Sequence, residues 1–206
     1  ERIMTNPIKV GIAGLGTVGI GVVKIIQQKA ETLQARTGRK IEIVAVSAKS
    51  KNKDRGIDLS MYDWESDPVT LANRKDIDIF VELIGGHVGA AKNSIFAAID
   101  NDKHIVTANK ALLAHHGQQL AEKTENKNKL LRFEAAVAGG IPVIKALTEG
   151  LAGNSLTRVV GVMNGTCNYI LTRMQSSGLS YDEIFKEAEA LGYLEADPNL
   201  DVGGID

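Results

Sequence analysis

Residues 8–19 read IKVGIAGLGTVG, an apolar run that stops at three spaced glycines. Its side chains alternate and then stay apolar, as in a strand buried in a parallel sheet. Gly14-x-Gly16-x-x-Gly19 follows at once and opens a segment that reads as a helix from Thr17 to Arg36. Three such glycines are weak evidence alone, but between a strand and a helix they form a dinucleotide-binding turn. Gly14 permits the tight turn, Gly16 lets a pyrophosphate approach the backbone, and Gly19 lets helix and strand pack closely. The free N–H groups of the helix start face the anion. Leu15, Thr17 and Val18 occupy the positions between and join the cofactor-binding set. Val18, Val22, Ile25, Ile26 and Leu33 are expected to form one apolar stripe, and Gly38 the stop.

Outward from this turn the chain alternates. IEIVAVSA (41–48), DIDIFVELIGG (76–86), HIVTANK (104–110) and LLRFEAAVAGG (130–140) read as strands. AAKNSIFAAIDN and ALLAHHGQQLAEKTEN read as helices, and KSKNKDRGIDLS as an irregular polar stretch. Alternation of this kind predicts an α/β chain with a doubly wound, parallel, Rossmann-type sheet. The pattern changes after Gly140. IPVIKALTEGLAG reads as a helix, LTRVVGVMNGT as a strand, and NYILTRMQSSG as a helix ending at Gly178. Ser180 and Glu183 have the spacing of a capping box for a last helix that ends at Gly192. The expected division is residues 1–145 for the dinucleotide-binding domain and 146–206 for the first part of an α+β substrate and dimerisation domain. About 60 residues rarely close a core alone, so the second unit reads as incomplete.

Composition narrows the classes. The 206 residues are 44% hydrophobic, ample for one core and slightly long for one average domain. A net charge of −1 and 4% aromatics give no sign of a nucleic-acid or membrane partner. No apolar run reaches spanning length, and the lone Cys167 suits a reducing cytoplasm. The opening ERIMTNP carries no weight in the reading.

Ligands of open parallel sheets sit at the carboxyl ends of the strands. The second strand ends VSAKSKNK, without the acid that marks a ribose site for NAD. Lys49 is the best placed of its lysines to pair a 2′-phosphate, with Lys51 and Lys53 read as solvated. The reading therefore leans to NADP and leaves NAD open. Ile84 and Gly85 of ELIGG, Thr107 and Lys110 of TANKA, and Gly165 of NGTCN lie at further strand ends. Lys110 stands between two readings, a cleft lysine that binds an anion or moves a proton and a surface lysine that caps the next helix.

GLGTVG, TANKALLA, FEAAVAGGIPVIKAL, VVGVMNGTCNYILTRM and GYLEADPNLDVGGID occur in that order. Together they closely resemble homoserine dehydrogenase over nearly the whole chain, least between 50 and 75. The resemblance implies NAD(P)-dependent interconversion of L-homoserine and L-aspartate 4-semialdehyde. It implies Lys110 beside nicotinamide and substrate hydroxyl, Gly165 bordering the cofactor, and Glu195 and Asp206 on the polar end of the substrate. Asp201 is a third wall residue of that pocket, since an α-ammonium needs carboxylates to replace its water. The resemblance further implies sodium on Glu134 with the main-chain oxygens of Val137, Gly139 and Ile141, and a homo-oligomer for the full-length protein. The family pattern continues past the residue matching Asp206 to a second lysine, one helical turn on, as proton donor and acceptor. The expectation is thus of a fragment that binds nucleotide and turns over poorly or not at all. GGHVGAAKN also departs from the acid and proline that the family often carries after the glycine pair.

Two rivals differ in class. An acylating aldehyde dehydrogenase would use Cys167 at a helix start as thiolate, but His87, His104, His115 and His116 all precede that unit. A non-catalytic nucleotide-binding module would need the glycine turn alone.

Overall fold

The computed structural model describes residues 6–161 and 165–191. Six strands, β1 Ile8–Ala13, β2 Ile41–Ser47, β3 Asp63–Glu65, β4 Ile79–Glu82, β5 His104–Thr107 and β6 Leu131–Arg132, form one parallel sheet. Their order is β3-β2-β1-β4-β5-β6. From β1 the chain moves outward through β2 and β3, then crosses back to β4. The loops leaving β1 and β4 therefore diverge from adjacent strand ends, which opens a crevice at the switch point.

Apolar side chains cover both faces of the sheet. Ile12, Val23, Ile43 and Val81 pack on one side, and Phe80, Ile95, Ile105 and Leu112 on the other. Phe80 is fully buried, and a side chain of that size contributes about 1.5–3 kcal/mol. Opposite Val10 and Gly11 the register jumps from Ile43 to Ala45, leaving Val44 as a bulge. The extra residue lets Ile43 and Val46 serve the same core.

The helix expected over Thr17–Arg36 is two, α1 Thr17–Gln28 and α2 Ala30–Thr37, which meet at Lys29 (φ −114°, ψ 21°). Backbone bonds continue through the break, from the Lys29 N–H to Ile25 and from the Leu33 N–H to Lys29. No residue of α2 is buried, so packing does not hold the two in line. The expected stripe is also turned. Gly19 and Val23 are buried with Ile20, Val22 and Ile26 against them, while Val18 and Ile25 are each 56% exposed. Gly19 sets the face, because it is where α1 touches the turn below it.

Two elements were not expected, β3 and α3 Pro68–Ala72. Asp67 caps α3 by accepting from the Thr70 N–H at 3.0 Å, and Pro68 follows at the first turn. Arg74 pins the edge strand through Asp63 and Glu65. Helices α4 Ala90–Asp100 and α5 Lys110–Asn126 lie where the pattern put them. The strand expected over 130–140 stops at Arg132. Phe133 leaves the extended region, and both oxygens of Glu134 accept N–H groups of the next helical turn, Ile144 at 3.0 Å and Lys145 at 2.9 Å. That turn, α6 Val143–Lys145, continues as a wider π turn over Ala146–Gly150.

Compact units divide the chain between Thr148 and Glu149. In the second, α7 Gly165–Ser177 and α8 Tyr181–Ala190 pack through Ile170, Ile184 and Ala188. Ser180 and Glu183 form the expected capping box. The strand expected from Leu156 is not formed over 156–161, which is exposed and irregular. A strand needs a neighbour for its N–H and C=O groups, and the described residues of this unit include none. Gly165 and Thr166 instead begin α7.

Candidate dinucleotide site

The turn between β1 and α1 is built around two glycines that admit no side chain. Gly14 has φ +99°, and a Cβ there would collide with the Leu83 carbonyl. A Cβ on Gly19 would collide with the Gly14 carbonyl. Gly16 is different, because nothing lies within 4 Å of where its Cβ would be. Its lack of a side chain leaves open space above the backbone, which a pyrophosphate requires and packing does not. Gly16 is also the N-cap of α1, with no side-chain cap and no acid in the first turn. The helix thus presents unmasked N–H groups to an anion. The Leu83 N–H donates to Ala13 at 2.7 Å and the Gly14 N–H to Ser47 at 2.8 Å, so three strand ends fix the turn.

A cleft of about 390 Å³ opens beside it. Gly14, Leu15 and Gly16 line one part, Lys49, Lys53 and Arg55 another, and Ile84 a third. Lys53, expected in solvent, lines the cleft, whereas Lys51 does not. Arg55 escaped the sequence reading. Its guanidinium donates to the carbonyls of Leu15 (3.3 Å), Ser50 (2.7 Å) and Lys53 (2.9 Å) and lies 5.4 Å from the Trp64 ring centre. Those bonds tie the lysine-bearing loop to the glycine turn. Among the described residues, three cations and no carboxylate line the cleft.

Across the switch point a buried carboxylate organises the next two strand ends. Glu82 is fully buried at the end of β4. Its Oε1 accepts from the N–H groups of Ile84 (2.8 Å) and Gly85 (3.0 Å), and its Oε2 from the Thr107 hydroxyl (2.6 Å). The Thr107 oxygen accepts from the Asn109 N–H at 3.0 Å. The Asn109 amide donates to Gly86 O at 2.8 Å, and its oxygen caps α5 by accepting from the Leu112 N–H at 3.0 Å. The glycine loop, the end of β5 and the start of α5 thus form one network. Lys110, half-buried, is the first residue of α5. It does not cap that helix: Asn109 does, and an ammonium has no acceptor to offer the N–H groups. His87, in the departing GGHVGAAKN stretch, stacks on His115 of α5 with ring centres 4.0 Å apart.

Gly14, Leu15, Gly16, Thr17, Val18, Lys49, Ile84, Gly85, Thr107 and Lys110 therefore sit at the carboxyl edge of one sheet, at the ends of β1, β2, β4 and β5. Gly165 belongs to the other unit, and Cys167 there is half-buried in α7. Glu195, Asp201 and Asp206 lie outside the described residues, as do Asp197, Asn164 and Gly192. At Glu134 the carboxylate already accepts two N–H groups, and the Ile141 carbonyl accepts from the Val143 N–H at 2.8 Å. Glu82 and Arg55 were missed for different reasons. A single acid inside the apolar run IFVELIGG was a visible sign of a buried carboxylate. Nothing near Arg55 in the sequence marks its reach back to Leu15.

This sheet order and this glycine turn, with a basic cleft beside it, define a dinucleotide-binding fold. Residues 14–134 match the family model described as homoserine dehydrogenase, NAD binding domain, and residues 142–206 the one described as homoserine dehydrogenase. The chain belongs to the homoserine dehydrogenase family. It is 48% identical to homoserine dehydrogenase of Neisseria gonorrhoeae and 46% to that of Pseudomonas aeruginosa, in each case over 98% of this chain and 46% of the relative. The crystal structure of a homoserine dehydrogenase from Thiobacillus denitrificans superposes with a TM-score of 0.88 at 42% identity, over 95% of this chain and 45% of that one. The chain spans about half the length of the curated relatives it matches. Among the described residues no helix is long and apolar enough to cross a membrane.

Proposed function

We propose that this chain supplies the nucleotide half of an enzyme that interconverts L-homoserine and L-aspartate 4-semialdehyde, with NADP preferred over NAD. The observation that carries the reading is the joining of the glycine turn and Lys110 along one sheet edge, in a chain of this family. A nicotinamide cofactor held here would supply the hydride chemistry. Gly14–Val18 and the start of α1 would hold the pyrophosphate, and Ile84 and Gly85 would serve the nicotinamide end. Lys110 takes the hydroxyl proton during oxidation and returns it during reduction. By the family resemblance, Glu195, Asp201 and Asp206 would bind the substrate ammonium, and Gly165 would serve the cofactor. A sodium ion on Glu134 would use the remaining lone pairs of its oxygens, with the carbonyls of Val137, Gly139 and Ile141.

Homoserine oxidation, followed as reduced nicotinamide, tests this in a protein carrying this chain and the rest of the family's length. The expected result is turnover with homoserine and NADP. Tight NADPH binding without turnover of homoserine or the semialdehyde would overturn the substrate assignment and leave the nucleotide site standing.

The NADP preference rests on Lys49 and Lys53 in a cleft without an acid. Lys49→Ala is expected to weaken NADPH binding about tenfold, the effect of one charge-assisted hydrogen bond, and to leave NADH nearly unchanged. Paired fluorescence titrations read both values. Equal losses for the two nucleotides would remove Lys49 from the 2′-phosphate.

A further inference from the structure

At the opposite, amino edge of the sheet lies a second depression, of about 420 Å³. Its floor holds Lys103, the residue before β5, which is only 7% exposed. Among the described residues no acceptor comes within hydrogen-bonding reach of its ammonium. Burial lowers its pKa, against the opposing pull of Asp78, Asp76 and Asp102. Each of those carboxylates accepts a hydrogen bond from another donor. Arg74 holds Asp76 at 2.7 and 2.9 Å, Lys127 holds Asp102 at 3.0 Å, and the Lys9 N–H donates to Asp78 at 2.9 Å.

A buried ammonium without a partner is costly, and such groups are ordinarily paired. The other lining groups point to what pairs it. His104 Nδ1 accepts from the Leu130 N–H at 3.1 Å, which leaves its proton on Nε2 as a donor. Arg39, Lys75 and Lys129 bring the cations to four, against two carboxylates, Asp78 and Asp102. A dianion would balance that excess.

We infer that this depression binds a doubly charged phosphate group, with Lys103 as the central ligand and Lys129 and His104 beside it. The site is separate from the cofactor cleft and lies at the other end of the same strands. None of the residues of the proposed reaction takes part, so the inference stands independently of the enzyme reading.

Calorimetric titration tests it with inorganic phosphate and glycerol 3-phosphate as separate probes, at constant ionic strength, with and without saturating NADPH. Saturable binding is expected in both conditions, and the tighter probe identifies the free ion or the ester as the source. Lys103→Met, which keeps the apolar stem, should weaken binding by about tenfold or more, and Lys129→Gln by a smaller factor. Both should bind NADPH as the unaltered chain does, which shows them folded. Absence of saturable binding, equal binding by Lys103→Met, or displacement of phosphate by NADPH would each overturn the assignment.

Discussion

Replacing Glu82 by alanine is expected to lower the unfolding free energy by about 2–4 kcal/mol and to weaken NADPH binding about tenfold or more. The carboxylate is fully buried and satisfies the N–H groups of Ile84 and Gly85 and the hydroxyl of Thr107. Ile84 and Gly85 are themselves exposed, so water can replace the lost acceptor for their N–H groups. Thr107 is 1% exposed and gains no such replacement. Most of the stability loss therefore comes from one stranded hydroxyl and from the space left behind. The loss of affinity has another origin. Ile84 lines the cleft beside the glycine turn, and its position and that of Gly85 depend on those bonds. Glu82→Gln is the control. Its amide oxygen can keep both N–H bonds, but its NH₂ offers the Thr107 oxygen a donor and leaves that hydroxyl's proton without its acceptor. It should cost about 1–2 kcal/mol, less than alanine because no space is left behind, and little affinity. Urea unfolding and NADPH titration of both variants measure this. An alanine variant with unchanged affinity would show that the loop holds its shape without the carboxylate.

How much of this was legible in the sequence depends on the range of the forces involved. The glycine turn was, because its spacing between a strand and a helix is a local pattern, although the carbonyl that excludes a side chain at Gly14 belongs to the distant Leu83. Strand and helix alternation was legible for the same reason, and it implies the sheet. The break at Lys29 was not, since the backbone bonds run through it and only the absence of packing on α2 distinguishes the halves. Nor was the burial of Val23 in place of Val18 and Ile25, because all three are apolar and contact with the turn chooses among them. Strand length failed where tertiary capture intervened, as when Ile144 and Lys145 draw Glu134 out of β6. Asp67–Pro68 was a readable helix start in a segment to which the pattern of alternation assigned no element. Arg55 illustrates the limit: its partner Leu15 is 40 positions away, and no periodicity connects them.

The larger effect on turnover is expected at Lys110. In a protein carrying the family's full length, Lys110→Ala should lower kcat by about 10²–10⁴-fold, the range for losing one proton-transfer group, while NADPH affinity changes little. The local structure favours this over a helix-stabilising role. Cations gain nothing at a helix N-terminus, where the dipole is unfavourable to them. Asn109 already caps α5, so alanine at the next position should not unfold the turn. Asn109 in turn belongs to the network of Glu82 and Thr107, which fixes where Lys110 begins its helix relative to Ile84 and Gly85. Proton transfer depends on that placement, because a donor displaced by an ångström loses much of its effect. The pH profile separates the roles. A lysine that moves the proton leaves a limb in kcat against pH, and Lys110→Ala should flatten that limb as well as lower the plateau. Lys110→Arg keeps the positive charge but does not release a proton in this range, so it should retain binding and recover little of the rate. A substantial rate in the arginine variant, with the limb intact, would assign Lys110 to holding charge and move proton transfer to another group.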